Sequence, residues 1–394
     1  MNEPMPGLPV RLIQLVARFR PDVDGVGEAA LNLADALLRE HGIRSDFLVY
    51  NAPKQEPILA LPGGFPYALE RVSGGGADAL DSALDSMAAF DKRAPMLLHY
   101  VPYGFSTQGT PTWLPGCLER FRDRGGRLIT LFHELYASPR LFSRTMMTSW
   151  LQRRIFRRVL AASEFAFTSS EDFLTLIQAQ KRQGQAAQLI GICSNAGEPE
   201  HPRQLEERKR RLAVFGRFVT RKNLYANHLD SLERIVRHLG IEEVADIGPI
   251  EDPAWLKEFV AGRFGSLLKS YGTLSVDEVS RLLEDSVAGA IAYPYHLRGK
   301  SGILAAYQAH AMAILLFPEP GEAESREPGS WSLSAEELLA LPTQSSTLRS
   351  RLQKAAGAAH EHYRRNRSAH SMAETLLPAL RAAGAPNEPA GLGP

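Results

Sequence analysis

The sequence predicts two successive α/β domains, each a doubly wound parallel sheet. Three observations lead there. Apolar runs of strand length alternate with amphipathic helical segments through most of the chain. The alternation breaks once, near residue 200, at the polar, proline-containing stretch EPEHPRQLEERKRRL. It then restarts with the same rhythm, as expected for parallel strands joined by crossover helices.

The first half opens with a strand in VRLIQLVARF, a glycine-bearing loop RPDVDGVGE and a helix in AALNLADALLREHG. The run SDFLVYNA follows as a second strand. Residues 52–90 are rich in Gly, Pro and Ala and read as irregular. APMLLHYVPYGF and GRLITLFHELYA each contain a short buried strand, and FAFTSSEDFLTLI reads as a strand and then a helix capped by Ser169 or Ser170. AQLIGICSNAG is a further strand before the break.

In the second half LAVFGRF, EEVADIGP, VAGAIAYP and AILLF read as strands. Between them lie an amphipathic helix in NLYANHLDSLERIVRHLG and one in LSVDEVSRLLEDS, where Ser275 and Glu278 have capping-box spacing. SGILAAYQAHAM, SAEELLAL and STLRSRLQKAAGAAHEHYRRN read as helices. The expected division is residues 1–200, 201–350, a closing helix over 351–381 and a disordered tail over 382–394.

Composition narrows the class. The chain has 394 residues, 44% hydrophobic and 23% charged, enough for two ordinary cores. A formal net charge of +1 argues against bulk nucleic-acid binding. Two cysteines, Cys117 and Cys193, make neither a disulfide framework nor a zinc cluster. No leader-like start and no long apolar run is visible, so a cytoplasmic protein is expected. In WLQRRIFRRVL, Arg153, Arg154, Arg157 and Arg158 share a helical face, with Trp150, Leu151, Ile155 and Val159 mostly opposite. Such a face suits either solvent or peripheral contact with a membrane.

In doubly wound sheets ligands sit at the carboxyl ends of strands. Four sequence features fall there. Gly25 and Gly27 follow the first strand, where glycine permits close backbone approach to a ligand. His133 and Glu134 end an apolar strand, and a histidine there can bond a sugar hydroxyl or accept a proton. Arg217 and Lys222 flank the turn after LAVFGRF, a guanidinium fork and an ammonium suited to a diphosphate. Lys300, Ser301 and Gly302 lie between a strand and a helix, as in a Walker A loop. That loop needs glycine where Pro294 stands, and proline has neither the N–H nor the free φ, so a P-loop is excluded. The helix start remains suited to an anion.

Taken in order, the glycine loop with LNLADALLREHGI, then HELYASP, VFGRFVTRKN, DIGP, YGTLSVDEVSRLLEDS and GKSGILAAYQAH, the chain resembles retaining GT-B glycosyltransferases of the GT4 family over most of residues 10–380. The resemblance implies two Rossmann-like domains facing a cleft, with the donor mostly on the second and a final helix returning to the first. It implies transfer of a hexosyl unit from a nucleotide-diphosphate sugar to an acceptor hydroxyl, of a glycan, lipid-linked saccharide or small molecule. Retention, polysaccharide biosynthesis and no metal or other cofactor follow from the same likeness. It implies that Arg217 and Lys222 hold the donor diphosphate, helped by Lys300, Ser301 and Gly302, and that His133 contacts the donor sugar. Glu28, Glu134 and Tyr103 become candidate sugar or acceptor contacts. The chain departs from the family where relatives carry a pair of glutamates: Gly299 and Tyr307 occupy those positions, and Met312 stands where glycine is common. A non-catalytic module binding a sugar nucleotide or glycan is the alternative this departure raises. A sugar-nucleotide epimerase or a phosphorylase of the same fold is a weaker one.

Overall fold

A computed structural model describes residues 10–19, 25–50, 69–72, 76–90, 94–136, 144–322, 331–343 and 345–384. Two compact units result: residues 1–191 with 369–394, and residues 192–368.

The first unit carries seven parallel strands, β1 (Arg11–Val16), β2 (Arg44–Val49), β3 (Leu69–Arg71), β4 (Met96–Tyr100), β5 (Leu128–Phe132), β6 (Phe165–Thr168) and β7 (Ala186–Leu189). Their order is β3-β2-β1-β4-β5-β6-β7. Strands β4 and β5 are buried throughout, which is why they read as continuous apolar runs. Helices α1 (Gly25–His41), α2 (Gly76–Phe90), α3 (Pro102–Phe105), α4 (Leu114–Asp123), α5 (Arg144–Ala162) and α6 (Glu171–Gln178) connect them. Ser170 caps α6 by accepting the N–H of Phe173.

Two expectations are corrected here. The stretch 52–90 is not irregular throughout, because β3 and α2 lie within it, while residues 51–68 fall outside the described ones. Alanine and serine dilute the apolar period of α2, yet Leu80, Ala83 and Leu84 still bury one face in the core. On α5, Ile155 and Val159 are buried as expected, but Trp150 is 65% exposed. The arginine face of α5 is largely engaged within its own unit. Arg158 bonds Glu119 through both Nε and Nη2, Arg157 donates to Gln180, and Arg153 lies 4.9 Å from the centroid of the Tyr136 ring.

The second unit has six parallel strands, β8 (Lys209–Phe215), β9 (Glu243–Ile247), β10 (Leu268–Gly272), β11 (Ser286–Ala292), β12 (Ala313–Phe317) and β13 (Ser332–Leu333), in the order β10-β9-β8-β11-β12-β13. Its helices are α7 (Phe218–Leu239), α8 (Pro253–Trp255), α9 (Ala261–Phe264), α10 (Val276–Glu284), α11 (Gly302–Ala309), α12 (Ala335–Leu339) and α13 (Ser346–Asn366). Both halves of the Ser275–Glu278 capping box form at the start of α10. α13 packs on α11 and β12. The last helix, α14 (Ala369–Gly384), belongs to the first unit and packs along α1. Among the described residues no helix is long and apolar enough to cross a membrane.

Each strand order reverses direction once, between β1 and β4 in the first unit and between β8 and β11 in the second. Open parallel sheets bind ligands at such a switch point, beyond the strand carboxyl ends. The elements that follow these four strands are therefore the places to look.

Candidate functional site

In the second unit the turn after β8 and the loop after β11 flank the switch point. Gly216 makes the first turn at φ 132°, which favours glycine. A Cβ there would lie 2.4 Å from Cδ1 of Ile303. The turn that carries Arg217 therefore packs against the first turn of α11. Gly248, after β9, adopts φ 141°, and a Cβ on it would fall 2.1 Å from the carbonyl oxygen of Gly216. Three strand ends thus converge because two glycines let the backbone approach.

Arg217 is the exposed N-cap residue of α7. Four residues on, Arg221 is buried and serves the fold: it pairs with Asp246 and donates to the carbonyls of Gly216 and Pro249. Lys222 is half-buried. Its Nζ lies 3.3 Å from Asp252 Oδ2 and 4.9 Å from the centroid of the Trp255 ring. The N–H of Trp255, with Lys222 adding to it, holds the Asp252 carboxyl below its usual range. Lys222 is thus already neutralised by a carboxylate, a pairing with no trace in the spacing of GRFVTRKN.

Ser301 is buried and caps α11, its Oγ accepting the N–H of Leu304 at 3.2 Å. The other early N–H groups of α11, beginning with Gly302, give this end its positive potential. Lys300 is partly exposed in the same loop. Sequence reasoning missed what holds this loop. Arg367 is 4% exposed and donates to the carbonyls of Gly299 at 3.0 Å, Ser301 at 2.8 Å and Ile192 at 3.2 Å, and to Gln308 Oε1 at 3.2 Å. Burial lowers its guanidinium to about 10, still charged at neutral pH. By pulling carbonyls toward itself, Arg367 helps fix the loop that leads to the N–H groups of α11. Asn195 was also missed. A Cβ on Gly302 would lie 3.2 Å from its amide carbon, and its buried Oδ1 has no hydrogen-bond partner among the described residues. The SNAG step that carries Asn195 was the available signal.

Tyr307 does not face this edge. It is fully buried, its ring fills the space above Gly289, and its hydroxyl accepts the N–H of Phe215 at 2.9 Å. The position that carries a carboxylate in the resembled family is here a core residue. Gly299 is exposed.

In the first unit, Gly25 opens α1 and is exposed, and the loop before it lies outside the described residues. Gly27 is buried against the backbone after β1, where a Cβ would meet the Arg18 carbonyl oxygen at 2.9 Å. Glu28, in the first turn of α1, is 8% exposed. His133, just after β5, is 9% exposed and donates its main-chain N–H to the Tyr100 carbonyl at 3.1 Å. Its Nε2 lies 3.2 Å from Nδ1 of His99, and Nε2 of His99 lies 2.9 Å from Oε1 of Gln14. Glu134 is half-buried beside it. Tyr103, on α3, is 43% exposed and accepts from Gln152 Nε2 at 3.3 Å. His133, Glu134, Glu28 and Tyr103 thus belong to the first unit, and Arg217, Lys222 and Lys300 to the second.

Two doubly wound units with these strand orders and strand-end groups define a GT-B-fold protein. Comparison with solved structures agrees on the fold. The chain superposes on sucrose-phosphate synthase from Thermosynechococcus elongatus with a TM-score of 0.62 at 10% identity, covering 94% of this chain and 98% of that one. Trehalose-6-phosphate synthase OtsA gives 0.60 at 13% identity, with 94% and 99% covered. An alpha-glucosyltransferase in complex with UDP and a DNA 13-mer gives 0.59 at 11% identity, with 94% and 99% covered. No family model matches the chain, and no match is found among curated proteins.

Proposed function

We propose that the protein is a glycosyltransferase that moves a sugar from a nucleotide-diphosphate donor to an acceptor hydroxyl. One observation carries this reading. The two strands flanking the switch point of the second unit, β8 and β11, deliver Arg217 and the Lys300–Ser301–Gly302 helix start to adjoining turns, with Lys222 one helical turn beyond Arg217. A diphosphate leaving group needs this combination of guanidinium, ammonium and helix N-terminus to take up negative charge. The similar structures include a complex with UDP, which fits the same ligand class.

In the proposed reaction Arg217, Lys222 and Lys300 stabilise the departing diphosphate. Ser301 and Gly302 open the helix whose N–H groups face it. No metal is assigned a role, since side chains and helix ends supply the positive charge. His133 orients the donor sugar, and Glu28, Glu134 and Tyr103 serve as sugar or acceptor contacts. The likeness to GT4 enzymes favours retention, by attack on the face the diphosphate leaves. Lys222 must exchange Asp252 for phosphate when the donor binds.

A second reading has its own observation. Tyr307 is buried and Gly299 has no side chain, so the pair of carboxylates that the GT4 resemblance leads one to expect is missing. A non-catalytic sugar-nucleotide binder would need neither. Incubating the protein with UDP-, GDP- and ADP-linked hexoses, with and without candidate acceptors, separates the two. Release of nucleoside diphosphate that depends on the acceptor supports the transferase. Binding of a donor without release under any condition supports the binder and sinks the transferase reading.

A further inference from the structure

Four buried polar side chains cross the first sheet in a line that ends at His133. Ser45 is on β2, Gln14 on β1, His99 on β4, and His133 follows β5; these strands are consecutive neighbours. Ser45 is 2% exposed, Gln14 and His99 are fully buried, and His133 is 9% exposed. Buried polar groups within a sheet need a complete set of partners. Here the partners also determine where each proton sits.

The amide of Gln14 sets the direction. Its Nε2 lies 3.4 Å from the Ala30 carbonyl, which can only accept, and 2.9 Å from Ser45 Oγ. The amide nitrogen must therefore face that side, and Oε1 faces Nε2 of His99 at 2.9 Å. An oxygen without hydrogen demands a donor, so His99 carries its proton on Nε2. Burial, with His133 adding to it, pushes the imidazolium of His99 well below its usual range, so its ring is neutral. A neutral ring protonated on Nε2 has only a lone pair on Nδ1. The ring of His133, inclined 16° to that of His99, then donates its Nε2–H across the 3.2 Å gap.

We propose that His99, oriented by Gln14 and Ser45, is a positioning residue that fixes His133 as its Nε2–H tautomer. In the neutral ring of His133 the acceptor is then Nδ1. A ligand group engaged there must donate a hydrogen, which a sugar hydroxyl does and a phosphate oxygen does not. This inference rests on the reading of His133 as a donor-sugar contact. It deepens that reading by assigning the ring the role of hydroxyl acceptor.

The tautomer can be read without any activity, from long-range 1H–15N correlations of the histidine rings in the full-length protein. The expected result is an Nε2–H signature for His133. His99→Asn offers an amide oxygen near the place of Nδ1 and should retain the signature. His99→Phe and the near-isosteric Gln14→Leu should lose it, giving a mixed or Nδ1–H ring. With a turned-over donor, His99→Phe should lower kcat at least tenfold with KM within about threefold, and His99→Asn should recover most of that loss. An Nδ1–H signature for His133 in the unmodified protein overturns the proposal. So does an unchanged signature in both His99→Phe and Gln14→Leu. If the signature behaves as expected but turnover is indifferent to His133→Ala, the tautomer lock stands and the donor-sugar role of His133 is what fails. Gln14→Leu provides the same readout should His99→Phe not fold.

Discussion

The hydroxyl of Tyr307 accepts the main-chain N–H of Phe215 at 2.9 Å, joining the middle of α11 to the end of β8. The carbonyls of Ala213 at 3.2 Å and Ala290 at 3.3 Å are within reach of its proton. Tyr307→Phe strands a buried N–H and should cost about 1–3 kcal/mol, read as a lowered Tm of the second unit. Tyr307→Glu, which restores the residue type of the resembled family, should cost more, because it buries a carboxylate among carbonyls. A stable Tyr307→Glu protein with tighter nucleotide binding would show that this side chain faces ligand after all.

The pairing of Lys222 with Asp252 yields an opposite-signed expectation. Asp252 caps α8 by accepting the N–H of Trp255 at 3.0 Å, a role asparagine also fills. Asp252→Asn therefore keeps the cap and removes the competing charge. Affinity for nucleoside diphosphate should rise severalfold at low salt, with the gain shrinking as ionic strength increases. Calorimetry at two salt concentrations reads this directly; weaker binding in the variant would mean that Asp252 helps the ligand rather than competing with it.

Arg367 should matter twice. Arg367→Met leaves the carbonyls of Ile192, Gly299 and Ser301 without their donor and should destabilise the second unit by at least about 2 kcal/mol. It should also weaken diphosphate binding, because the loop before α11 loses its anchor. Arg367→Lys should recover only part of either effect, since an ammonium cannot reproduce a planar fork spanning several acceptors. Denaturant melts and calorimetry on both variants check the two effects separately.

Acid should loosen the second unit through His310. This residue is fully buried, with Nδ1 2.7 Å from the Ala306 carbonyl and Nε2 2.8 Å from Ser280 Oγ. Burial lowers its imidazolium from 6.5 to about 4. The folded state thus disfavours protonation. Stability from this group is complete above about 6.5 and falls as pH drops toward 4, by about 3 kcal/mol in all. His310→Gln should flatten the dependence in that window, which urea melts between pH 7 and pH 4 will show. An equally steep dependence in the variant would remove His310 as its source.

Much of the fold was legible because the physics is local. Strands β4 and β5 are buried on both faces, so their apolar runs stand out, and the capping box of α10 is written in four residues. Helix α2 was not legible, because its alanines and serines neither sharpen the apolar period nor break it. At the site, the glycine turns and the Lys300–Ser301–Gly302 step were readable from their place between strand and helix. The partners were not. Arg367 meets the loop it holds from 66 residues away in the chain. Asp252 and Lys222 meet only once β9 lies beside β8. Gln14 and His99 did leave a trace, each a single polar residue inside an apolar strand, but the line they form depends on strand order. Tyr307 read as a lost carboxylate because sequence position says nothing of which helix face meets the sheet.

The measurement that bears most directly on the central claim is calorimetric titration of the full-length protein with UDP, GDP and ADP, repeated with the Arg217→Ala, Lys222→Ala double variant. The expected result is saturable binding of at least one nucleoside diphosphate, weakened at least tenfold in the double variant while its Tm stays close to that of the unmodified chain. Binding of none of the three, or binding that the double variant leaves unchanged, would contradict a diphosphate site at the edge formed by β8 and β11.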